Sequence, residues 1–127
     1  MISISRILLV SAFVAAKATA QSHTGNLFYF VPGLGACGFT NNNSQVVASV
    51  SAAIFNSYPG ATPNPNHNPI CQHRLYVSSG GRNVTAPIVD YFEEQGRDYD
   101  VGLSRPGFET FAPVSTGVVY GVNWIIL

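Results

Sequence analysis

The chain reads as mainly β, a small closed barrel carrying one or two short helices. Three features say so. Strand-like runs rich in Val, Ile, Tyr and Phe recur between clusters of Gly, Pro and Asn. Helical periodicity is scarce. In the final run "GVVYGVNWIIL", Val118, Tyr120, Val122 and Trp124 share one face, and the slimmer Gly117, Val119, Gly121 and Asn123 share the other. A bulky face opposite a slim one is how a narrow barrel is filled.

Taken in order, the chain opens on "MISISR", a short apolar run and the small residues Ala18 and Ala20, the pattern of a secretory signal cleaved after Ala20. The apolar run is too short for a membrane anchor. Residues 21–127 are then expected to form one secreted domain. "NLFYFV" from Asn26 is the first strand. "GLGACG" fits G-x-G-x-x-G through Gly33, Gly35 and Gly38, but a dinucleotide fold needs a helix start directly afterwards and an acid about twenty residues on. "FTNNNS" follows instead, and no acid occurs before Asp90. The glycines are assigned to a tight backbone crossing.

"SQVVASV" from Ser44 is the second strand, and "SAAIFNSY" supplies a helical turn or two. "YPGATPNPNHNPI", with four prolines, is a surface loop ending at Cys71. "HRLYVSS" from His73 and "RNVTAPIV" from Arg82 are strands joined by a hairpin turn at Gly80 and Gly81. Val84, Ala86 and Ile88 share a face, and Asp90 is the next position of that parity, so the buried row is expected to end in a carboxylate. "SRPGFETFAP" offers a second short helix with Ser104 as its cap.

Charge narrows the function. Loss of Arg6 and Lys17 with the leader leaves four basic against six acidic side chains, about −2, and no lysine. Nucleic acids and anionic membranes call for clustered cations, so neither is an expected partner. Cys37 and Cys71 are the only cysteines and are expected to pair in an oxidising setting. That pairing removes the thiolate a cysteine hydrolase would need, and it removes Cys71 from any zinc set with His67 and His73. No metal or cofactor is called for. Asn42 and Asn83 head glycosylation sequons and are expected at the surface.

Five of the six acids crowd into "IVDYFEEQGRDYDVGLS": Asp90, Glu93, Glu94, Asp98 and Asp100. Tyr91, Phe92 and Tyr99 flank them, and Tyr29 and Phe30 precede the glycines. Rings with a polar tip suit stacking on sugars or an extended peptide, and core packing is the alternative use.

The stretches "GLGACGFT", "VVASVSAAIFNS", "NPIC", "VTAPIVD" and "DVGLSRPGFETFAPVSTGVVYGVNW" occur in the order of a known family. From about Gly25 to Trp124 the chain resembles the rare lipoprotein A-like, barwin-like double-psi β-barrels. That family includes expansin cores and a secreted papain inhibitor. The resemblance implies a six-stranded barrel with two interlocked crossing loops. It also implies a polysaccharide groove whose two aspartates match Asp90 and Gly102, with Asp100 the nearest substitute for the missing second acid. Two residues along a strand is roughly 6.5 Å, a large error for acid–base chemistry.

The expectation is a non-catalytic, monomeric module binding cell-wall polysaccharide through Asp90, Tyr29, Tyr91, Phe92 and Asp100. Asp90 could equally cap backbone amides at the barrel mouth. The alternatives are a papain-type cysteine protease inhibitor acting through loops that include the proline-rich one, or a weak polysaccharide-active enzyme.

Overall fold

The computed structural model describes residues 21–127; the expected leader lies outside the described residues. Six strands close a barrel: β1 (His23–Tyr29), β2 (Ala48–Ser51), β3 (Arg74–Ser79), β4 (Arg82–Phe92), β5 (Val101–Leu103) and β6 (Val118–Ile126). Around the barrel they run β1, β5, β2, β4, β3, β6 and back to β1. The pairs β1–β5 and β2–β4 are parallel, and the rest antiparallel. Each parallel pair requires the chain to cross the barrel mouth between its strands.

The interior is the apolar half of the alternation. Leu27, Val50, Val77, Ala86, Ile88, Val101, Leu103, Val122 and Trp124 are buried together, with Phe55 and Phe108 closing the ends from the helices. Helix α1 (Ala52–Ser57) follows β2 directly, and the Ser51 hydroxyl caps it by accepting from the Ile54 amide. Helix α2 (Arg105–Glu109) starts at Ser104, but that side chain is not its cap. Ser104 Oγ donates to Gln45 O and accepts from Val47 N, tying the start of α2 to the approach of β2.

The five strands read from the sequence are present with shifted ends. β1 starts three residues before Asn26, and β2 begins only at Ala48. The three residues of β5 are too few to show periodicity, and Gly102 sits in their middle. The β3–β4 hairpin turns through Gly80 and Gly81, both at positive φ, as a two-residue loop requires. The proline-rich loop is not wholly irregular. It contains two 3-10 turns, Pro65–His67 and Pro69–Gln72, each started by an Asn side chain.

Two bulges correct the alternation. Opposite Asn26 in β1, β6 carries both Tyr120 and Gly121, and Gly121 takes φ +69°. Val119 therefore packs on the core while Tyr120 stands 77% exposed, off the bulky face expected for it. In β4, Val89 is the extra residue, since Ala48 pairs with Ile88 but Ser49 pairs with Asp90. The inner row continues through Tyr91, beside core Val50, and Asp90 moves to the outer face beside Ser49.

Candidate functional site

Two surfaces emerge. The first is the outer face of β1, β5, β2 and β4, where register aligns Phe28, Gly102, Ser49 and Asp90 in one lateral row. Asp90 is half-buried, and its Oδ1 accepts from the amides of Ala36 at 3.0 Å and Tyr91 at 2.8 Å. Asp100 Oδ1 accepts from the Asn26 amide at 2.9 Å, and its Oδ2 accepts from Arg97 Nε at 2.9 Å. Both carboxylates thus tie loops to strands.

Arg97, absent from the sequence-level candidates, organises this face. It pairs with Asp100 and Glu94, and its guanidinium lies 4.3 Å from the Phe28 ring centre. Burial pulls its pKa down, but the bonds to Asp100 and Glu94 outweigh that and hold it above the ordinary value. Phe92 packs edge-on against Phe28 with ring centres 4.8 Å apart. A Cβ on Gly102 would lie 3.1 Å from Phe30 Cδ1 and 3.2 Å from Phe28 Cε2. Ring atoms therefore occupy the space that a second aspartate would use. Of the other expected ligand residues, Tyr29 and Tyr91 pack against the core, Tyr29 near Phe108 and Tyr91 near Phe55. The only sequence signal for Arg97 was that it is the one cation inside the acidic stretch.

The second surface is a pair of loops. After β1 the chain makes a small hairpin from Val31 to Asn41, in which Leu34 bridges Thr40, Gly35 N donates to Phe39 O and Asn41 N donates to Gly33 O. Its tip lies across β4: the Cys37 amide donates to Val89 O, and a Cβ on Gly35 would come within 2.4 Å of that same oxygen. The glycine is required there by close approach, as the crossing reading anticipated. At the other crossing, Gly25 makes the same kind of approach to Tyr99 O.

Cys37 is disulfide-bonded to Cys71, as expected, and joins the hairpin to the proline-rich loop. Gly38 lies against the Asn66 side chain, and buried Asn68 donates to Phe55 O, fixing that loop to α1. Val31, Leu34 and Phe39 are exposed on the hairpin although apolar. In sequence they resemble core residues; the glycines on both sides of Leu34 and before Phe39 were the available signal. Cys71 being in the disulfide, His73 turns to Leu127 O and His67 to Asn64. Among the described residues no cluster of three or more His, Cys, Asp or Glu side chains is placed to hold a metal. Asn42 and Asn83 are both exposed.

No protein-family model matches the chain. A curated relative, the papain inhibitor of Streptomyces mobaraensis, is 35% identical over 107 residues, covering 82% of this chain and 71% of its own. The solved structure of a Streptomyces papain inhibitor superposes with a TM-score of 0.74 at 33% identity, over 84% of this chain and 94% of that one. A Clavibacter michiganensis expansin in complex with cellohexaose shares the fold, with a TM-score of 0.63 at 15% identity over 84% of this chain and 50% of its own. The chain belongs to the family of the Streptomyces papain inhibitor, a double-psi β-barrel related in fold to expansins.

Proposed function

We propose that this protein is a secreted, non-catalytic inhibitor of papain-type cysteine proteases. Its inhibitory face is the hairpin Val31–Asn41 together with the proline-rich loop that Cys71 pins beside it. The observation that carries the reading is 35% identity over 107 residues with a papain inhibitor, combined with an apolar, exposed loop already stapled in place. A rigid loop enters a cleft without the ordering cost a flexible one incurs. A protruding apolar hairpin also supplies the surface that binding to a concave, apolar protease cleft requires.

The polysaccharide reading has weaker support. The expansin likeness is one of fold, and on the matching face the Phe28 and Phe30 rings crowd Gly102, with Phe92 and Arg97 packed on Phe28. The same packing argues against a weak glycan-cleaving enzyme, because Asp100 is already committed to Arg97 and the Asn26 amide. Papain activity measured with rising amounts of the domain spanning residues 21–127 tests the proposal. Inhibition saturating at about micromolar protein is expected. Undiminished activity there, with recovery of the domain on insoluble cellulose, chitin or peptidoglycan, would return the polysaccharide reading to first place.

A further inference from the structure

Beyond the inhibitory face as a whole, the geometry points to Leu34 as the residue that selects the protease. We infer that it seats in an apolar side-chain pocket of the partner's cleft, within a contact that carries no charge. The inference rests on the inhibitor reading above, and three observations lead to it.

Leu34 is the most exposed large apolar side chain of the two loops, at 76%. Gly33 and Gly35 flank it, so neither adjacent residue carries a side chain, Thr40 is its cross-strand neighbour, and the space around Gly33 is open. A leucine so isolated can reach into a pocket that a flat patch could not enter.

The backbone carrying it is fixed on both sides. The bridge to Thr40, the Gly35–Phe39 and Asn41–Gly33 hydrogen bonds and the Cys37 disulfide all hold the hairpin. Ala36 N is held in addition by Asp90 Oδ1. Asp90 thus acts on the inhibitory face from beneath, through the hairpin backbone, and is a positioning residue.

Between His23 and Arg74 the chain contains no Asp, Glu, Lys or Arg, and both loops lie inside that interval. All Asp, Glu, Lys and Arg side chains of the described residues fall from Arg74 onward. Neutral loops match an apolar pocket and disfavour a protease whose pocket carries a carboxylate for basic side chains. They also offer no Asp, Glu, Lys or Arg to an interfacial ion pair that salt would screen.

The test is papain inhibition by the parent domain and by Leu34→Ala, Leu34→Asp and Leu34→Arg, with Tyr120→Asp as an equally exposed control outside both loops. Circular dichroism and size exclusion report fold and self-association. The expected result is inhibition weakened about tenfold by alanine and roughly a hundredfold or more by aspartate. Tyr120→Asp should match the parent. Inhibition by the parent should change by less than about twofold between roughly 0.05 and 0.5 M salt. Leu34→Arg should move inhibition toward a cysteine protease with an acidic pocket.

Strong inhibition by the parent that Leu34→Asp leaves intact overturns this inference while the inhibitor reading stands. So does a steep salt dependence, or a Leu34→Asp effect confined to breaking a dimer of this chain. A parent domain that leaves papain uninhibited overturns the inhibitor reading itself, and the inference with it.

Discussion

At the scale of single residues, Asp90 and Gly35 meet at one crossing and do different work there. Asp90 Oδ1 holds two amides, one on its own strand and one on the hairpin. Replacing it with alanine strands both donors in a half-buried setting, and we expect a loss of roughly 2 kcal/mol in urea unfolding. Asp90→Asn keeps an acceptor oxygen in place and is expected to recover most of that loss. A carboxylate that served only a ligand would show neither the cost nor the rescue. Gly35→Ala is the more severe change, since its Cβ would overlap the Val89 carbonyl and one backbone must move. A cost of about 2 kcal/mol or more is expected from the shift in the unfolding midpoint.

At the scale of elements, the disulfide decides whether the two loops act together. Cys37 and Cys71 are 34 positions apart, and removing both should lower stability by about 4 kcal/mol in the chain-entropy description. The Cys37→Ser/Cys71→Ser double variant should also lose papain inhibition at temperatures where its circular dichroism still shows the barrel. Equal inhibition by the folded double variant would mean that the staple has no part in the inhibitory face. The Ser51 hydroxyl cap is a smaller device: Ser51→Ala is expected to cost about 1 kcal/mol in thermal unfolding without touching inhibition.

Element by element, the sequence was legible where chemistry is local. The Gly80–Gly81 turn, the proline-rich loop, both short helices and the cysteine pair depend on residues next to one another or on the redox setting. The bulges at Val89 and Gly121 were not legible, because an extra residue is defined only against the partner strand. That single-residue offset is why Asp90 leaves the inner row and why Tyr120 stands outside. β5 escaped because three residues show no period, and Leu34 escaped because an exposed leucine and a core leucine look alike in a sequence.

For the whole molecule, the closed barrel has no free sheet edge, so its recognition surfaces have to be loops or the outer face of strands. On the outer face the aromatic rings and Arg97 pack on one another, whereas Val31, Leu34 and Phe39 of the stapled hairpin stand exposed. Among residues 21–127, every Asp, Glu, Lys and Arg lies from Arg74 onward, so both loops lack them. The central claim is that this loop pair physically closes a cysteine protease cleft. Its most direct test is the rate at which iodoacetamide alkylates the catalytic thiol of papain as the domain is added. Shielding that grows with the amount of domain and saturates when all papain is bound is the predicted result. A bound complex whose thiol is alkylated at the rate of free papain would contradict it.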